Sequence, residues 1–111
     1  MEERRKSKSD RFATNLKAKY FLKESSRNEI CTIVDISRNG AGLEFHTSKE
    51  IEIGSNLLLE IFIPNKIELT VAEGIVRWGE QRKEGFLVGI EATSRLDEDK
   101  FAKVFKCALE L

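Results

Sequence analysis

Proline, histidine and tryptophan each occur once in this 111-residue chain, and nowhere do apolar residues run together for long. A bilayer-crossing helix needs about 20 mostly apolar residues, and a secretory leader needs an apolar core near its N-terminus. Neither is present, so the expected location is the cytoplasm. Cysteine is scarce too. Cys31 and Cys107 have no neighbouring histidine and give no zinc pattern, so both are expected as buried thiols rather than a disulfide. Charge of neither sign dominates: 19 Lys and Arg balance 19 Asp and Glu. No global field therefore draws the chain to nucleic acid or to a membrane. A Gly-rich phosphate loop, a Ser–His–Asp set and paired catalytic carboxylates are absent. Asp97-Glu98-Asp99 lacks the alternating oxygen ligands of a cation loop. These absences argue against an enzyme, a resident cofactor and a metal site.

What remains is a single globular domain. With 41% hydrophobic and 34% charged residues, the chain can bury a modest core and is not a disordered segment. Residues 1–11 are polar and aperiodic, a flexible basic arm, and 12–111 form the folded domain. From Leu16 the chain alternates, with Leu16, Ala18, Tyr20 and Leu22 on one face, the period of a half-buried strand. Ile30 to Ile36 is β-branched and apolar, a second strand. Arg38-Asn39-Gly40 predicts a turn in which Asn and Gly take positive φ. Ala41, Leu43 and Phe45 predict a third strand that includes His46 on its surface. Leu57 to Ile63 is a fourth, closed by Pro64. Ile67 to Trp78 is a long fifth strand whose face changes near Glu73-Gly74, as at a β-bulge. Gly79 to Gly85 reads as a charged turn, and Phe86, Val88, Ile90 and Ala92 as the last strand.

The period then changes. Phe101, Val104, Phe105 and Ala108 lie at helical spacing, with Ser94 or Asp97 as the cap, and the helix is expected to bury Phe101, Val104 and Phe105. Acidic Asp97, Glu98 and Asp99 at its start and Lys103 and Lys106 near its end complement the helix dipole. Six strands and a terminal helix predict an all-β fold, a six-stranded antiparallel barrel of Greek-key or split type capped by a C-terminal α-helix. Trp78, next to Arg77, has a ring suited to stacking on a base, but the favoured expectation is a barrel residue with its ring half covered.

Two features carry chemistry. Asp35, Ser37 and Gly40 form Asp-x-Ser-x-x-Gly between two strands, offering a carboxylate, a hydroxyl and a tight turn. Arg4, Arg5, Lys6, Lys8 and Arg11 concentrate positive charge just before the first strand. Arginine forks bind phosphate oxygens or the O6/N7 edge of guanine in bidentate fashion, and a carboxylate accepts from the guanine N1–H and amine. Such a pair of clusters suits a ligand with guanine edges and phosphates.

Together these features resemble the PilZ family, bacterial receptor domains for cyclic di-GMP, over Glu3 to about Phe105. The family places an Arg-x-x-x-Arg arm before its first strand and Asp/Asn-x-Ser-x-x-Gly after its second. The turn here matches fully. Arg11 keeps the family position before an apolar residue, Phe12, while Arg5 stands two residues too far back, as if Ser9-Asp10 were inserted. The resemblance implies a cyclic di-GMP receptor that uses Arg4, Arg5, Arg11, Asp35, Ser37 and Gly40, orders its arm on binding and signals through a partner protein. The altered arginine spacing supports an alternative, a PilZ-like structural or adaptor domain without nucleotide. Single-stranded nucleic acid is a poorer ligand, because several exposed aromatics for stacking are missing.

Overall fold

Period-two alternation becomes six strands in the computed structural model, which describes residues 11–24, 27–45, 50–63 and 68–109. They are β1 (Phe12–Leu22), β2 (Asn28–Ser37), β3 (Gly40–Phe45), β4 (Asn56–Ile63), β5 (Glu68–Arg82) and β6 (Gly85–Ala92), followed by α1 (Arg95–Leu109). All pairings are antiparallel, and the order β1-β2-β3-β6-β5-β4 closes on itself through β1 and β4. Closure satisfies the outer strand edges, which matters for strands this apolar.

Inward positions form one core. Leu16, Ala18 and Tyr20 of β1 meet Ile33 and Ile36 of β2 and Ala41 and Leu43 of β3. Leu57, Leu59, Ile61 and Ile63 of β4, Val76 of β5 and Val88 of β6 complete it. Helix α1 packs against β5, β2, β6 and β4, contributing Phe101, Val104 and Cys107. Ser94 is its cap: the Asp97 N–H donates to Ser94 Oγ at 3.1 Å. In return the Asp97 carboxylate accepts from the hydroxyls of Ser94 and Thr93, both at 3.1 Å.

Several expectations shift. Phe105 is only half-buried, because it lies on the flank of α1 and packs its ring against Phe12, centroids 5.0 Å apart. Cys107 takes the inward position instead. The register of β5 runs unbroken through Glu73 and Gly74 and shifts between Val76 and Trp78. β5 also continues to Arg82, which leaves Lys83-Glu84 as the turn. β1 begins at Phe12, with a register shift between Ala13 and Leu16. The turn after β2 is Arg38-Asn39 alone. Gly40 opens β3 and is not one of the glycines with positive φ. His46, Pro64 and the arm with Arg4 and Arg5 lie outside the described residues.

Two buried protons make the fold sensitive to alkali. Burial pushes the Cys31 thiol up from 9.0 to about 12. Burial, aided by its 2.6 Å bond to Glu29, raises the Tyr20 hydroxyl well above its ordinary range. The folded chain keeps both protons at pH values where the unfolded chain has lost them, so unfolding releases protons. Their contribution is complete up to about pH 8.5, where the unfolded thiol begins to ionise, and is lost as pH rises towards 12. Melting temperature should hold level from pH 7 to about 8.5 and then fall. Tyr20→Phe should make that fall shallower, as thermal melts across the range will show.

Candidate ligand-binding surface

A strand of strict period two cannot place Ile33, Asp35 and Ile36 as observed. Ile33 and Ile36 both face the core, three residues apart. The β2–β3 register shifts between Ile33 and Asp35, so Val34 is an extra residue on β2. This bulge turns Asp35 outward and spares the barrel an inward carboxylate, whose burial unpaired is costly. The shift between Val76 and Trp78 acts likewise on β5. Val76 stays in the core while Arg77 and Trp78 are both exposed.

The two outward residues then line up. Asp35 pairs with Gly42, Gly42 with Gly89, and Gly89 with Trp78, one row across β2, β3, β6 and β5. The middle of the row has no side chains, and its flanks fold over it. The Asp35 carboxylate lies on Gly42, where a Cβ would come within 2.9 Å of Oδ2, and it accepts the Gly42 N–H at 3.1 Å. The Trp78 indole lies on Gly89, where a Cβ would collide with its Nε1.

Arg11 completes the cluster. Its Nη1 donates to Asp35 Oδ1 at 2.7 Å, and the pair is about one-third exposed on each side, 34% and 36%. Arg77 Nε donates to Glu91 Oε1 at 2.6 Å. Ser37 is buried, and its hydroxyl faces the Asn39 side-chain oxygen and the Gly40 carbonyl, each at 3.3 Å, closing the turn. Gly40 is required by space, since a Cβ there would collide with the Ile90 carbonyl oxygen of β6. Beside these residues runs an open groove of about 240 Å³ lined by Arg11, Asn39, Gly40, Arg77, Trp78 and Gly89, with Ile90 and Glu91.

Four of the six residues expected from sequence, Arg11, Asp35, Ser37 and Gly40, therefore gather around one turn; Arg4 and Arg5 lie outside the described residues. Base stacking by Trp78 was the less favoured of its two readings, and Arg77, Gly42 and Gly89 were not foreseen as part of this surface. A signal for them existed in the pattern, because Val76-Arg77-Trp78 followed by Gly79 breaks the alternation of β5. Chemically, the surface provides a fixed aromatic plane, two guanidinium groups and a carboxylate held at the edge of a groove. No cluster of three or more metal-ligating side chains occurs among the described residues. No helix among them is long and apolar enough to cross a membrane.

Comparison with known proteins fits this architecture. A sequence model of the PilZ domain matches residues 3–109. No curated protein matches the sequence significantly. Among solved structures, the inhibitor of motility MotI/DgrA of Bacillus subtilis aligns at TM-score 0.67 and 17% identity. That alignment covers 86% of this chain and 47% of MotI, so the chain spans about half the length of that protein. The PilZ domain of YcgR from Escherichia coli, solved with c-di-GMP, aligns at TM-score 0.73 and 12% identity, covering 90% of this chain and 88% of that domain. The PilZ domain of CeSA from a cellulose-synthesizing bacterium gives 0.69 and 10%, covering 91% and 98%. At such identities the likeness speaks for the fold.

Proposed function

This chain belongs to the PilZ domain family, and from that footing we propose that it is a cytoplasmic receptor for cyclic di-GMP rather than an enzyme. The row Asp35–Gly42–Gly89–Trp78, with Arg11 at its end, carries the reading. Its parts suit one guanylate unit. Trp78 offers an indole face for a purine, a contact worth roughly 1–3 kcal/mol per stacked base. Asp35 accepts from the guanine N1–H and amine. Arg11 and Arg77 reach phosphate oxygens or the O6/N7 edge. Gly40 and Ser37 hold the turn that presents Asp35, and Arg4 and Arg5 close over the phosphates from the arm. In this proposal residues 1–11 act as the arm and 12–111 as the receptor barrel. Ordering the arm on the ligand creates the surface that a downstream protein reads.

Titration calorimetry with cyclic di-GMP tests the proposal, and Trp78, the chain's one tryptophan, supplies a second readout by fluorescence. Binding should survive moderate salt and exclude GTP, because a merely basic arm would bind any polyanion and release it as salt rises. The arm spacing gives a sharper prediction. Deleting Ser9-Asp10 restores Arg-x-x-x-Arg between Arg5 and Arg11 and should tighten binding roughly tenfold, about 1.4 kcal/mol. Arg11→Ala should weaken binding more than Arg4→Ala or Lys6→Ala. If neither the wild type nor the deletion variant binds, the second reading, an adaptor without nucleotide, replaces this one.

A further inference from the structure

A second hollow opens on the other flank of the Arg38-Asn39 turn's arginine. It is an open cleft of about 560 Å³ between Arg38 and the α1 residues Asp99, Ala102, Lys103, Phe105 and Lys106. Three cations face one carboxylate there. Its apolar wall is Phe105, whose half-buried ring packs against Phe12. Among the described residues, neither Arg38 nor Lys106 meets a carboxylate within ion-pair distance. Lysines near a helix C-terminus ordinarily serve the macrodipole. That accounts for Lys106, in the last turn of α1, but not for Arg38, which comes from a different element. Nor does it account for the aromatic wall they surround.

We propose that this cleft docks an acidic segment of a partner protein. One aromatic or large apolar side chain of that segment rests on Phe105, and flanking carboxylates meet Arg38 and Lys106. Charge selects the occupant: a basic segment is repelled by three cations, whereas an acidic one is steered in and paired. A single buried aromatic among charged rim contacts is the usual composition of a binding hot spot. The cleft is also wired to the nucleotide surface, an extension that rests on the receptor reading. Phe12, which supports the Phe105 ring, directly follows Arg11, and Arg11 holds Asp35. A nucleotide that draws Arg11 from Asp35 shifts Phe12 and with it the wall of the cleft. Nucleotide and partner segment then change each other's affinity by the same factor.

The test uses the full chain and a fluorescein-labelled Glu-Glu-Phe-Glu-Glu peptide followed by fluorescence polarisation. Wild type should bind it, more weakly as salt rises. Lys106→Glu should reduce affinity at least fivefold. Lys83→Glu, the same charge change at an exposed turn far along the chain, should leave it nearly unaltered. A peptide with alanine in place of phenylalanine should bind at least fivefold more weakly. Circular dichroism melts confirm that both variants fold. Absence of binding, or equal loss in both variants, overturns the proposal. Markedly tighter binding after deletion of residues 1–10 also overturns it, since the arm's own Glu2-Glu3 would then be the occupant. Cyclic di-GMP should shift the peptide affinity by at least twofold. If it binds but leaves that affinity unchanged, the coupling is wrong. If cyclic di-GMP does not bind while the peptide does, the receptor reading fails and the docking surface stands.

Discussion

Phe101→Ala is expected to cost roughly 3–5 kcal/mol of folding stability, the range for removing a fully buried phenylalanine. The side chain has 0% exposure and sits where α1 crosses the barrel end, joined there by Val104 and Cys107. Phe101 belongs to the buried apolar cluster, so its loss combines transfer and cavity terms. In a domain whose total stability is about 5–15 kcal/mol, this is a large fraction. Urea titration should show a lower midpoint with an unchanged slope if the rest of the fold survives. Phe105→Ala supplies the contrast. Half-buried and engaged mainly with Phe12, it should cost clearly less, on the order of the aromatic pair plus partial burial, about 1–2 kcal/mol. Equal costs for the two variants would mean that the helix does not seat as described.

Asp35→Ala is expected to weaken cyclic di-GMP binding by roughly 1–3 kcal/mol, about fivefold to more than a hundredfold, with little change in melting temperature. The two halves of this expectation have separate grounds. The binding loss follows from removing the acceptor for the guanine N1–H and amine. The small stability change follows from the setting: the Arg11 pair is about one-third exposed on each side, and such pairs contribute about 0–1 kcal/mol. The Gly42 N–H loses its partner at 3.1 Å, but the part-exposed carboxylate is also what covers that N–H, so its removal opens the group to water. A variant that binds as well as wild type would assign Asp35 to the turn alone. A stability loss above about 2 kcal/mol would do the same, because buried unsatisfied groups cost that much.

Much of this was readable before any coordinates. Alternation across Leu16–Leu22, the apolar run Leu57–Ile63 and the helical spacing of Phe101 and Val104 determined six strands and a terminal helix, because a strand or helix must bury its apolar face. Asp35, Ser37 and Gly40 were legible as a candidate site only through the basic arm before them and the family resemblance, because Asp and Ser are common turn residues by themselves. Arg11 was legible from its place before Phe12.

The flat row between Asp35 and Trp78 was not legible, and the reason is register. Whether a residue faces the core or the solvent depends on the parity of its count along the strand. One extra residue, Val34 on β2 or Arg77 on β5, inverts that parity. Where a strand accepts the extra residue is settled by which placement lets Ile33, Ile36 and Val76 all enter the core at once, a question about neighbouring strands. The glycines followed the same logic: Gly42 and Gly89 became a floor only because antiparallel pairing set them side by side beneath Asp35 and Trp78. Residue types determined what chemistry the chain carries, and strand pairing decided which of those groups meet on one surface.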